Sequence, residues 1–83
     1  MLKKNYQTLI IFLSGRLEVD YVNEKYNLNI PESEEYETLA GYIIFVHESI
    51  PQRHEELQFE NFHIRIIKAT ATRIDLIRLK VIY

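Results

Sequence analysis

The 83-residue sequence predicts a small α+β domain: a mainly antiparallel sheet with two helices on one face, in the order strand, helix, helix, strands. Three observations lead there. Apolar residues recur three and four apart before Pro51 and two apart after it, which is the change from helical to strand periodicity. The chain is too short for two cores, since a domain of this size buries only about 60–65% of the surface its unfolded form exposes. With 47% hydrophobic and 27% charged residues, four Phe and six Tyr, its composition is that of a folded protein. We therefore expect residues 1–83 to form one domain.

The first element expected is a buried strand from Tyr6 to Leu13, rich in β-branched and aromatic residues and stopped by the turn pair Ser14-Gly15. A short amphipathic helix follows between Leu17 and Leu28. There Val19, Val22 and Tyr26 are three and four apart, and Glu18 and Asp20 sit where the helix dipole favours negative charge. Pro31 is expected to end this helix. The acidic segment PESEEYE reads as a solvated loop, and the Thr38 hydroxyl as the cap of a second helix. In that helix Leu39, Ile43, Val46 and Ile50 share a face that Tyr42, Ile44 and Phe45 widen, so burial on more than one side is expected.

Beyond Pro51, Leu57 and Phe59 and then Phe62, Ile64 and Ile66 alternate with polar residues, which predicts two strands joined by a tight turn near Glu60-Asn61. The final segment, RIDLIRLKVIY, puts Ile74 and Leu76 on one phase and Ile77, Leu79 and Val81 on the other. A β-bulge or change of face at Leu76-Ile77 would turn both sets inward.

Ten Lys plus Arg against twelve Asp plus Glu leave a net charge of -2, so no overall positive field exists to hold a phosphate backbone, and nucleic acid is not expected as a partner. The lack of Cys removes disulfides, thiolate zinc sites and thiol nucleophiles, and makes a reducing cytoplasm the default compartment. The apolar runs LIIFL and YIIFV fall far short of the roughly 20 residues needed to cross a bilayer. Lys3 and Lys4 are followed by too short an apolar stretch for a signal peptide.

The residues able to carry chemistry form no catalytic pattern. His47, His54 and His63 come from a helix, a loop and a strand, without the i, i+4 spacing of a helical metal site. They read as exposed polar side chains near a turn, ahead of a His54, Glu55 and Glu56 metal site. Glu32, Glu34, Glu35 and Glu37 could gather a hard divalent cation, but the segment lacks the Gly and the Asp, Asn and Ser alternation of a calcium loop. Ser14, Ser33, Thr38 and Ser49 lie in no GxSxG-type turn, and with only Gly15 and Gly41 there is no Gly-rich phosphate loop. Arg73 could hold an anion, although an ion pair with Asp75 is the expected role. We expect no catalytic residue, no metal ligand and no cofactor, and not an enzyme.

The pieces SGRLEVDYVNEKYNLNIP, EEYETLAGYIIFV, SIPQRHEEL, LQFENFHIRII and TRIDLIRLKV, in this order and at these gaps, resemble the CorC/HlyC transporter-associated domain. That family is the small C-terminal module of haemolysin-like membrane proteins linked to magnesium and cobalt efflux. The resemblance covers about residues 8 to 82, and the signature falls on Gly15, Tyr36, Thr38, Gly41, Pro51, Arg73 and Ile74. One departure is plain: His54 stands where the family has Gly, and a left-handed backbone there would cost His.

The resemblance implies a fold similar to a subdomain of flavin-binding (PCMH-like) oxidoreductases, and a non-catalytic regulatory or interaction module that modulates ion transport through protein contacts. It implies the membrane and CBS domains of a parent or partner transporter as partners, and a place at the cytoplasmic face of the inner membrane. It leaves open whether such a chain is a piece of a longer protein or a stand-alone version. The long apolar terminal strand IDLIRLKVIY is the edge expected to support a homodimer. The alternative is a small-molecule binding domain for flavin adenine dinucleotide or an adenine nucleotide, using Thr38 and Arg73. Gly41, which costs about 1 kcal/mol inside a helix, is expected to let that helix approach a strand or the first helix closely.

Overall fold

A computed structural model describes residues 8–82. Its elements are β1 (Thr8–Ser14), α1 (Val19–Tyr26), α2 (Leu39–His47), β2 (Glu56–Phe59), β3 (Phe62–Ala69) and β4 (Ile74–Ile82). The α+β order expected is the order found, although Tyr6, expected to open the first strand, lies outside the described residues. The last three strands form a meander and β1 returns to pair with β4, giving an antiparallel sheet of order β1-β4-β3-β2.

β4 is expected at an edge and is found in the centre. It pairs with β1 from Thr8↔Ile82 to Ser14↔Leu76, and with β3 from Phe62↔Val81 to Ala69↔Ile74. Both rows of its backbone groups are occupied, so β4 offers no edge through which a homodimer could form. Its length and its buried Ile74, Ile77, Leu79 and Val81 are the marks of an enclosed strand, whereas edges are usually short or charged.

The irregularity also sits elsewhere than at Leu76-Ile77. Ile66 pairs with Ile77, Lys68 with Leu76 and Ala69 with Ile74, which leaves Ile67 unmatched on β3 and Asp75 unmatched on β4. This double slip lets Ile74 and Ile77 both face the core and leaves Leu76 half-buried instead of inward. β1 is buried on one face only, since Ile10 and Phe12 are 52% and 60% exposed.

α1 ends at Asn27, not at Pro31: Asn27 takes the left-handed conformation at φ 54, which Asn tolerates better than most residues. The segment that follows is clamped by Asn23, whose Nδ2 donates to Ile30 O at 2.9 Å while its Oδ1 accepts from Ile30 N at 3.0 Å. Leu28 and Ile30 are thereby held in the core. α2 begins at the expected cap, with Thr38 Oγ1 accepting from Gly41 N at 3.1 Å. Leu39, Tyr42 and Ile43 are buried but Phe45 is 50% exposed, so the helix is not enclosed all round.

Leu13, Leu57, Phe62, Ile64, Ile66, Ile77, Leu79 and Val81 turn to one side of the sheet and join Val19 and Val22 of α1 and Leu39 and Ile43 of α2 in a single core. At about 1.5–3 kcal/mol for each large apolar side chain fully buried, this layer supplies most of the stabilisation. Gly15 lets it close. Its N donates to Asp75 O at 3.2 Å, and its O accepts from Ala40 N at 2.9 Å. A Cβ at Gly15 would collide with the backbone carbonyl of Ile74 and stand 3.1 Å from Ala40 Cβ. Its φ is not positive, so space rather than backbone conformation demands glycine.

Gly41 behaves differently from expectation. A Cβ there would meet Tyr36 Cβ at 3.0 Å and Thr38 Oγ1 at 3.3 Å, so it makes room for the loop before its own helix and not for a strand or for α1. His54 does occupy the left-handed region, at φ 72. Its N donates to Ile66 O at 2.6 Å and Ile66 N donates to Glu55 O at 2.9 Å, which ties this loop to β3.

Gly15→Ala should cost about 3 kcal/mol through overpacking against backbone, whereas Gly41→Ala should stay within about 1 kcal/mol because a gain in helix propensity offsets the tight contact. Urea titration measures both, and equal losses would show that the close approach is not centred on Gly15. His54→Gly should raise stability by up to about 1 kcal/mol, the left-handed penalty being partly offset by the greater freedom of Gly in the unfolded chain. A melting temperature unchanged or lowered would refute that.

Candidate functional site

Two surfaces are candidates for a functional role. The first is an acidic cleft of about 330 Å³ lined by Glu18, Val19, Asp20, Glu32, Ser33, Tyr36 and Glu37. Backbone bonds from Val19 N to Glu37 O and from Leu39 N to Leu17 O, both 2.8 Å, zip the entries of the two helices together beside it. Tyr36 anchors the acidic loop: its hydroxyl donates to Pro31 O, and its ring lies 5.4 Å from the rings of both Tyr42 and Phe45. Tyr42 in turn meets Phe59 at 6.0 Å, so an aromatic chain runs from the loop through α2 to β2.

Burial keeps the Tyr42 hydroxyl protonated, pushing its pKa up to about 12, with Tyr36 and Glu60 adding to the shift. Tyr36 is raised too, by burial first and then by Glu32. The carboxylates line the cleft without converging: among the described residues no group of three or more His, Asp or Glu side chains is placed to hold a metal ion.

The second surface is the sheet face turned away from the helices. Residues directly opposite across strands share a face, so Phe12, Arg78, Arg65 and Glu56 form one rung and Ile10, Lys80, His63 and Gln58 the next. Ile10, Phe12 and, at the end of β4, Ile82 are all about half exposed or more, at 52%, 60% and 49%. The Nε atoms of Arg65 and Arg78 are buried and have no hydrogen-bond partner among the described residues. His63 Nε2 lies 3.1 Å from Glu56 Oε1.

The residues singled out from the sequence make local structural contacts. The Thr38 hydroxyl is engaged in capping, and Arg73 Nε lies 3.3 Å from Asp75 Oδ1, the ion pair expected. Neither lines the acidic cleft. Gly15 touches Ile74, Gly41 touches Tyr36 and Thr38, and Pro51 is buried. The His54, Glu55 and Glu56 set is dispersed, because Glu55 pairs with His47 at 3.2 Å and Glu56 with His63. The pair Arg65 and Arg78 escapes sequence reading: each merely alternates with buried residues, and only the register of β3 and β4 makes them neighbours.

A four-stranded antiparallel sheet with two helices on one face defines a small domain of α+β type. The family pattern of the transporter associated domain, CorC/HlyC, matches residues 8–82, and the chain belongs to that family. Solved structures agree with the fold. A CorC/HlyC domain from Haemophilus ducreyi is 22% identical, with 84% of this chain and 92% of that one covered at a TM-score of 0.70. A region described as associated with a Mg2+ and Co2+ transporter (CorC) from Neisseria meningitidis MC58 is 18% identical, with 87% and 88% covered at a TM-score of 0.79. The corresponding domain of a Xylella fastidiosa Temecula1 hemolysin, in complex with Mg++ and Mn++, is 26% identical, with 84% of each chain covered at a TM-score of 0.69. No curated protein sequence matches the chain.

The raised Tyr42 pKa makes alkaline stability a test of the aromatic chain. A group whose folded pKa lies above its ordinary 10 stabilises the fold fully below pH 10 and loses that contribution as pH climbs through 12. Unfolding free energy should fall over that interval by at most about 1.4 kcal/mol per pH unit from this group. Tyr42→Phe should flatten the decline, and a slope unchanged in the variant would remove Tyr42 as its source.

Proposed function

We propose that this domain is a non-catalytic regulatory module that modulates ion transport, magnesium or cobalt among the candidate ions, through contacts with the membrane and CBS domains of a parent or partner transporter. Membership of the transporter-associated family over residues 8–82 carries this reading. The Neisseria relative's association with a Mg2+ and Co2+ transporter supports the choice of ions. In this reading the module is one domain at the cytoplasmic face of the membrane, and among the described residues no helix is long and apolar enough to cross a bilayer.

The physical support is the distribution of labour within the chain. Thr38 and Arg73, the residues on which a nucleotide site would rest, are committed to a helix cap and an ion pair, and none of the comparisons points to a flavin. What remains outside the core is surface, and surface acts through contact. The test is ion flux in cells carrying the parent transporter with and without this domain. Deletion should alter Mg2+ or Co2+ transport while the membrane part still reaches the membrane, and identical flux in the two would overturn the proposal.

A further inference from the structure

We propose that the open sheet face docks an acidic amphipathic segment of a partner protein, an inference that rests on the module acting through protein contacts. Arg65 and Arg78 stand directly opposite each other in the ladder, and like charges so placed are destabilising, a cost that falls mainly on Arg78, since Glu56 flanks Arg65 but Phe12 flanks Arg78. Each also has its Nε sealed from solvent with no protein acceptor among the described residues, an arrangement that carries a desolvation cost. Both costs are relieved when a carboxylate reaches the pair and the guanidinium turns to meet it as a two-pronged donor. Lys80, on the next rung, adds positive charge to the centre of the face.

The apolar part of the partner is specified by position. Phe12 borders Arg78 on the β1 side, and Ile10 borders Lys80 in the same way, both more than half exposed. The face therefore offers an apolar strip beside a basic strip, the complement of a segment with Leu-like residues along one side and carboxylates next to them. A second copy of this chain fits worse, because two such faces laid together would oppose arginine to arginine. A flat bilayer fits worse too, because Phe12 and Ile10 protrude along one side of the face only, while the arginine Nε atoms beside them are sealed from solvent.

The probe is a synthetic amphipathic peptide of about four helical turns, roughly 14 residues, with Leu along one face flanked by Glu. It is titrated into the isotope-labelled 83-residue protein and followed by NMR. Shifts should concentrate on Phe12, Arg65, Arg78 and Lys80, weaken steeply with salt, and vanish when the peptide carries Lys in place of Glu. Arg78→Glu should weaken binding at least about tenfold. Arg78→Gln should also weaken it while raising the melting temperature of the free protein by about 2–4 °C, because it removes the opposed charges. That opposite movement distinguishes docking from a role in folding.

Absence of shifts on this face, or a melting temperature lowered by Arg78→Gln, would overturn the inference. So would binding to phosphatidylserine vesicles in place of the peptide, or concentration-dependent self-association through Phe12. If the peptide docks but deletion of the domain leaves ion flux unchanged, the surface stands and the regulatory reading falls. If flux responds to deletion but Arg78→Glu leaves peptide binding intact, the reverse holds.

Discussion

The contact at Gly15 is the constraint on which the remaining architecture depends. There the end of β1, the first turn of α2 and the start of β4 come within backbone distance, and the amide and carbonyl of one residue serve both neighbours, Asp75 and Ala40. Backbone groups buried at such a junction must find partners, and here they find them in elements more than twenty residues away in sequence. A side chain would force α2 off β4, opening the core beneath Leu39 and Ile43, which have no solvent exposure. Position of the helix layer on the sheet is thus set by a missing methyl group.

The acidic loop is the second part that needs explaining, because a run of carboxylates has little reason to hold a fixed shape. Tyr36 supplies the reason. It drives a ring into the edge of the core between Tyr42 and Phe45, and its hydroxyl closes the loop on Pro31. Gly41 leaves the space that the Tyr36 backbone and Cβ occupy. Tyr36, Thr38 and Gly41 therefore act as one unit: anchor, cap and clearance, all within six residues of chain.

Much of this was legible from residue patterns. The order of elements, the Thr38 cap, the hairpin at Glu60-Asn61 and the pairing of Arg73 with Asp75 are local, and local chemistry determines them. What escaped is non-local. Whether β4 sits at an edge or in the centre depends on where β1 returns, which no window of sequence contains. The end of α1 falls before Pro31 because Asn27 takes a left-handed conformation and stops the helix, an option that the residue pattern alone does not select. The slip in β4 fell at Asp75 because Ile67 on the neighbouring strand shares it, and that partnership is invisible until the register is known.

β1 is the element whose sequence and environment disagree most, and the disagreement carries information. LIIFL has apolar residues on both phases, the pattern of a strand covered on two faces, yet β1 lies at an edge with one face open. An antiparallel sheet with helices on one side alone ordinarily alternates apolar inward with polar outward, as β3 does through Phe62, His63, Ile64 and Arg65. Ile10 and Phe12 break that rule without any gain to the core, since Leu9, Ile11 and Leu13 already supply the inward phase. Exposed apolar residues beside two opposed arginines are a cost to the free domain, and contact with a partner of the proposed kind would offset it.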